Sequence, residues 1–227
     1  MTVVAIDGPG GAGKSTVARE LARRLGVERL DTGAMYRAVT LLAMREAVSA
    51  DDEGALAALA VGMRLEVGDT VLIDGEDVTA AIRGDDVDAT VSVVAAHPRV
   101  RAELVARQRA WVESRGTGVV EGRDIGSVVL PGADLKVYLT ADAVERARRR
   151  AGDRQIDLAG ALDGPAGIAA SALDATDVAL AGEAIGRRDE LDSVRLASPL
   201  VVAAGAVVVD STGRSVEDVV DEIVSLL

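Results

Sequence analysis

Gly8-Pro9-Gly10-Gly11-Ala12-Gly13-Lys14-Ser15 fits the spacing G-x-x-x-x-G-K-[ST], and Thr16 adds a further hydroxyl. The chemistry open to such a run is anion binding. Its glycines can take positive φ, so that successive N–H groups turn inward around a phosphate, and a helix starting at the lysine adds its partial positive charge. In that setting Lys14 reaches the β- and γ-phosphates of a nucleotide and the Ser15 hydroxyl serves Mg²⁺. Gly8, Gly10 and Gly13, with Asp31 further on, also satisfy the dinucleotide fingerprint G-x-G-x-x-G. That rival gives Lys14-Ser15 no role, although Lys136 is the only other lysine in the chain. A phosphate-binding loop is therefore the reading adopted, over both the fingerprint and a merely flexible glycine turn.

Composition narrows the classes around this loop. The chain has 227 residues, 37 acids against 25 bases, a net charge of -12, no Cys, no Phe and a single His. The length fits one domain with insertions or two small ones, and a 49% hydrophobic fraction can build a core. With three aromatics in all, that core must be aliphatic. Zero Cys excludes disulfides and thiolate zinc sites, and His97 alone cannot supply the usual zinc or haem clusters. The absence of Asn removes the guanine-reading motif of GTPases and the magnesium-binding Asn of protein kinases. An acidic chain lacks the field for nucleic-acid binding, so any anionic ligand must be met by locally gathered arginines. The apolar run Leu196 to Val209 is interrupted and shorter than the ~18–20 residues of a membrane span, and no signal-like N-terminus is seen. No membrane association and a cytoplasmic location are expected.

The elements that must position the loop follow from periodicity. Thr2 to Asp7 reads as a buried strand and Lys14 to Leu25 as a helix with Val17, Leu21 and Leu25 on one face. Ala34 to Glu46 is helical again, and Asp51-Asp52-Glu53 opens another short helix. Met63 to Val67 and Val71 to Asp74 flank Gly68-Asp69 as a hairpin. Helices are expected at Asp85 to Val94, Pro98 to Val112, Ala143 to Arg150 and Val216 to Leu226. Strands are expected at Val119 to Glu121, Leu135 to Leu139 and Val207 to Val209. Strands alternating with helices imply an α/β fold with a parallel sheet. Ala47 to Val91 and Ala151 to Gly186 break that rhythm and read as insertions.

GPGGAGKST, LDTGAMYR, IDGEDVTAAIR, VVEGRDIGSVV, LKVYLTA and RRDELDSVR with SPL occur in the order and approximate spacing of bacterial cytidylate kinases. The chain resembles that family over nearly its whole length, except between about Ala151 and Gly186. The resemblance implies transfer of the ATP γ-phosphoryl group to CMP or dCMP, with ATP and Mg²⁺ required, and a monomer is expected. It also implies a P-loop kinase core with a central parallel sheet flanked by helices, carrying a nucleoside-monophosphate insertion with a small antiparallel hairpin and a lid. On that pattern residues 1–33, 92–145 and 195–227 form the core, 34–91 the acceptor insertion and 146–194 the lid, the two insertions closing over the substrates.

By the same resemblance Asp124 accepts from the cytosine amino group while Arg101 and Ser92 donate to the base. Arg37 and Arg123 clamp the acceptor phosphate, with Thr32 nearby, and Arg188 and Asp192 hold the sugar. Lys14, Arg195 and the lid arginines Arg146 and Arg150 supply positive charge to the transferring group. Glu121 is read as a Mg²⁺ carboxylate acting through water, with direct contact left open. Between Ala151 and Gly186 the only base is Arg154, which departs from the family's lid. A kinase of this core with another acceptor, and a non-enzymatic nucleotide-binding module, are the competing readings.

Several residues have plainer roles in prospect. Arg148 reads as a solvated helix face, Asp7 as a cap on a backbone turn, and His97 as structural. Tyr36 and Trp111 read as packing residues, and Arg83 and Asp77 as a surface pair.

Overall fold

The computed structural model describes residues 2–161, 174–195 and 198–227. Its centre is a five-stranded, wholly parallel sheet: β1 (Val3–Asp7), β2 (Arg29–Asp31), β6 (Gly118–Glu121), β7 (Leu135–Thr140) and β8 (Val207–Asp210), in the spatial order β2-β6-β1-β7-β8. Crossover helices cover both faces, so the inner strands read as continuous apolar runs, and Val4, Ala5 and Ile6 are fully buried. The register pairs Ile6 with Glu121, Asp31 with Glu121 and Asp7 with Tyr138. Three carboxylates, Asp7, Asp31 and Glu121, thus end neighbouring strands at the carboxyl edge, where open α/β sheets hold ligands.

α1 (Lys14–Leu25) has the expected limits. Its ends are set by Gly13 and Gly26, both left-handed, a conformation in which a side chain is strained. Leu21 shares a buried apolar cluster with Val4, Val219 and Ile223, which joins α1 to α8 (Val216–Ser225) on one face of the sheet. Burying a leucine there contributes roughly 2 kcal/mol. On the other face lie α2 (Thr32–Arg45), α3 (Glu53–Gly62), α4 (Asp85–Val94) and α5 (Pro98–Arg115), whose core includes Leu30, Val39, Leu56, Leu104 and Ile125. The core is aliphatic, as composition required.

Several elements differ from the sequence-based expectation. β2 was not foreseen. α2 begins two residues early because the Asp31 carboxylate accepts from the Ala34 N–H. The hairpin β3 (Leu65–Val67) and β4 (Val71–Ile73) gains a third strand, β5 (Glu76–Asp77). Asp74 and Gly75, at φ 53° and 89°, make the two-residue turn that joins it. A single π-type turn, Ile125–Val129, follows β6.

The largest difference is at the expected lid. α6 runs from Ala143 to Ala161, well past Arg150, and α7 from Ala175 to Val194. Alanine is the best helix former, which explains how this Ala-rich stretch extends the helix. The two helices pack on each other, with Ala147, Ala151, Ala181 and Ile185 buried, and α7 also touches α4. A Cβ on Gly182 would lie 3.4 Å from Ala147 Cβ, so the pair is close. Residues 162–173 of the expected lid lie outside the described residues, as does the side chain of Arg154. Among the described residues no helix is long and apolar enough to cross a membrane.

Candidate active site

A cavity of about 350 Å³ opens along the carboxyl edge of the sheet. The loop between β1 and α1 forms one wall, and α2, α4, α5, the end of β6 with the turn after it, α6 and α7 contribute to the others. At Gly8, φ is 148° and a Cβ would fall 2.0 Å from the Leu139 carbonyl oxygen. Only glycine fits where the loop crosses β7. At Gly11 a Cβ would lie 2.6 Å from the Arg146 carbonyl oxygen, so α6 presses directly on the loop.

The sequence-predicted residues converge. Gly10, Gly11, Gly13, Lys14, Ser15, Thr16, Thr32, Arg37, Ser92, Arg101, Glu121, Arg123, Asp124, Arg150, Arg188, Asp192 and Arg195 all line this cavity. Gly8, Ala12 and Arg146 do not line it. Gly8 and Ala12 shape the loop from behind, and Arg146 lies beside it, donating to the Gly10 carbonyl at 3.0 Å. Arg83 is exposed and also lines the cavity, and Tyr36 is both packed and part of its wall. Asp77 is exposed and accepts from the Thr79 N–H, Arg148 is exposed, and His97 contacts the Ala50 carbonyl at 2.7 Å. Trp111 packs against Gly118.

At the deep end Asp124 and Arg101 are each 5% exposed and ion-paired, with the guanidinium over the Tyr36 ring at 5.6 Å. Ser92 Oγ donates to Asp192 Oδ1 at 3.3 Å. Asp192 also faces Arg123 at 3.2 Å and Arg195 at 3.4 Å. Arg188 and Asp192 share one face of α7, as their spacing required. Two acids not singled out from sequence organise the remaining cations. Asp88 of α4 meets Arg37, Arg150 and Arg188, and Asp189 of α7 meets Arg123 and Arg146. The helical spacing of Ile185, Arg188, Asp189 and Asp192 was the signal for Asp189. Asp88 offered none.

Near the loop, Lys14 Nζ donates to the Pro9 carbonyl at 2.8 Å. Burial, and then the nearby Arg123, pushes the Lys14 ammonium down from its ordinary value. Burial, and then Asp31, pushes the Glu121 carboxyl up. Glu121 accepts from Ser15 Oγ at 2.8 Å with one oxygen and from Arg29 at 2.7 Å with the other, while Thr32 Oγ1 donates to its backbone carbonyl at 2.7 Å. Burial, then crowding by Arg37 and Arg123, lowers Arg188 well below its ordinary value. A guanidinium stays charged, so burial and the neighbouring cations make this an unfavourable place for it without an opposing anion.

Asp7 caps the turn after β6, accepting from the N–H groups of Ile125 and Gly126 at 2.7 Å each. Burial nevertheless raises its carboxyl from 3.8 to about 6. The protonated form is favoured in the folded chain, so the contribution of Asp7 is fully present below its unfolded pKa and is lost as pH rises through about 6. Denaturation of wild type and Asp7→Asn between pH 4 and 7 measures this. The wild-type advantage should shrink by about 2 kcal/mol over that range, most of what a shift of roughly two pKa units carries. A pH-independent difference contradicts it.

A second, shallower groove of about 210 Å³ lies on the other side of the loop, lined by Ala12, Thr16, Arg149, Ser211, Arg214 and Val216 among others. Arg149 donates to Ser211 Oγ and to the Ser211 carbonyl, both at 2.8 Å, which fixes this wall.

The sequence matches the family profile described as cytidylate kinase over residues 4–227. A cytidylate kinase of Geobacillus sp. is 43% identical over 229 residues, covering 99% of this chain and 95% of that one. Those of Nocardia farcinica and Mycobacterium avium are 47% and 45% identical, covering 97% and 99% of this chain and 91% and 94% of theirs. Near-complete coverage on both sides, together with the loop and the arginine-lined cavity beside it, leads to one conclusion: the chain belongs to the cytidylate kinase family.

Proposed function

We propose that this chain transfers the γ-phosphoryl group of ATP to CMP or dCMP, giving ADP and CDP or dCDP. The observation that carries it is the buried Arg101–Asp124 pair at the closed end of a cavity whose other end is the phosphate loop. Cytosine presents an amino donor beside N3 and O2 acceptors, which a carboxylate and a guanidinium complement. The Tyr36 ring and Ser92 lie in the same wall. Uracil would turn its O4 acceptor toward the Asp124 oxygen that cytosine's amino group would meet, setting two acceptors against each other in a buried place, a loss of a few kcal/mol.

Arg37 and Arg123 take the acceptor's phosphate, Arg188 and Asp192 its sugar, and Lys14 the donor's β- and γ-phosphates. An oxygen of the CMP phosphate attacks the γ-phosphorus, the bond to the β,γ-bridging oxygen breaks, and that oxygen leaves with the electron pair on ADP. A phosphate monoester has a second pKa near ~6, so the nucleophile is already ionised at neutral pH and no general base is needed. Catalysis is then alignment and positive charge from Lys14, Arg195, Arg146 and Arg150. Arg149, Ser211 and Arg214 line the groove that would take the ATP nucleoside.

Among the described residues no group of three or more His, Cys, Asp or Glu forms a metal cage. Ser15 Oγ and one Glu121 oxygen, 2.8 Å apart, do fit Mg²⁺, which takes one or two protein oxygens and fills its shell with waters and phosphates. Because Arg29 holds the other Glu121 oxygen, a water-mediated role suits this carboxylate. The ion, when bound, neutralises charge on the β- and γ-phosphates. Residues 34–91 and 146–194 serve as the acceptor insertion and the lid, the second built on α6 and α7. Turnover tests the function: with ATP and Mg²⁺ present, CMP should be consumed in step with ADP formation.

A further inference from the structure

Asp189 is the one acid of α7 that reaches into the phosphate loop. Its Oδ1 accepts from the Gly10 N–H at 2.9 Å and from Arg123 at 2.9 Å, and its Oδ2 accepts from Arg146 at 2.5 Å. Both carboxylate oxygens are engaged by one loop amide and two guanidiniums. Arg123 comes from the turn after β6 and Arg146 from α6, so three separate elements aim their donors at this carboxylate. A loop amide and converging arginines are also the donor set that a phosphoryl group takes at the start of such a helix. An ion pair serving only to join α7 to α6 would have no need of the loop amide. The approach is close, since a Cβ on Gly10 would lie 3.6 Å from Asp189 Oδ1.

We propose that Asp189 is an internal stand-in for a donor phosphate: its carboxylate occupies the Gly10, Arg123 and Arg146 donors in the empty enzyme and must leave them when ATP enters. The proposal rests on the reading that ATP phosphates sit in the loop. Without an anion, Lys14, Arg123 and Arg146 repel one another across a partly buried space, and the carboxylate offsets that repulsion. When phosphate arrives it takes over the same donors, and α7 is released from the loop. Asp189 thus sets donor affinity, because only the fraction of molecules with the carboxylate withdrawn can bind. The residue bears mainly on the donor, since the acceptor's Arg37 and Arg188 are held by a different carboxylate, Asp88, and Arg123 is the acceptor ligand that Asp189 also holds.

The test is calorimetric titration of wild type, Asp189→Asn and Asp189→Ser with the β,γ-methylene analogue of ATP, with inorganic tripolyphosphate, and with CMP. Thermal unfolding is followed with and without the ATP analogue. Both variants should bind the analogue and tripolyphosphate more tightly, by roughly tenfold if the carboxylate occupies the donors about nine-tenths of the time. CMP, whose phosphate ligands share only Arg123 with Asp189, should gain less than the analogue and tripolyphosphate do. Their melting temperatures should fall in the empty state and come back to wild type at saturating analogue. Analogue affinity that is equal or weaker in both variants, or destabilisation that persists at saturation, overturns the proposal and leaves Asp189 as a structural link. A gain confined to CMP also overturns it, because the carboxylate would then stand in the acceptor's place. Failure of wild type itself to bind the analogue would sink the underlying reading of the loop.

Discussion

Lys14→Ala should lower kcat by about 10²-fold or more while leaving the fold intact, by analogy with single donors removed from preorganised sites. The ammonium is held at the mouth of the loop by the Pro9 carbonyl at 2.8 Å, and burial pushes its pKa down in the empty site. Both observations describe a cation kept ready in a place that is unfavourable for it until phosphate oxygens arrive. Charge on the β,γ-bridge grows as the bond breaks, so Lys14 should contribute more to the transition state than to ground-state binding. The expected pattern is a collapse of kcat with a smaller change in KM for ATP. Pre-steady-state and steady-state assays on a variant with wild-type melting temperature measure both, and near wild-type turnover would mean that the phosphoryl group moves elsewhere.

Asp124→Asn should cut kcat/KM for CMP by at least ~10², because a site built to pair a substrate amino group loses about that much when the pairing fails. The amide can offer a donor to uracil O4, so the ratio of CMP to UMP should narrow as well. A second effect adds to the first. Asp124 and Arg101 are buried together, and removing one charge leaves the other uncompensated, which for such pairs costs about 3–5 kcal/mol. Asp124→Asn should therefore melt lower than wild type, and CMP should restore less of its stability. If the variant keeps the parent's preference for CMP, other residues read the base.

Much of this site could be read before any fold was known. The phosphate loop announces itself because its spacing is local, and α1 matched to the residue because glycines stand at both ends. The cavity residues were found by motif rather than by period: LDTGAMYR, EGRDIG and RRDELDSVR each place two or more charged groups within nine residues of chain. What stayed hidden was either short or distant. β2 escaped because three residues with one buried apolar side chain, Leu30, show no periodicity. The extension of α6 past Arg150 was obscured by Gly152, although one interior glycine costs a helix only about 1 kcal/mol. Arg29 and Asp88 act on partners 92 and 51 residues away, and no local pattern carries such pairings. Arg83 is exposed, and at the end of the short turn Ala81–Arg83 it also reaches the lining of the cavity.

The central claim is that this cavity brings a cytosine nucleotide to the phosphate loop and phosphorylates it. Its most direct test is ADP formation from ATP and Mg²⁺ against CMP, dCMP, UMP, AMP and GMP under identical conditions, with the product of each identified by ³¹P NMR. The account predicts that CMP or dCMP gives the highest kcat/KM, at least ~10²-fold above AMP and GMP, with one ADP per diphosphate formed. Preference for a purine acceptor, or ATP consumption with no nucleoside diphosphate made from CMP, would contradict it.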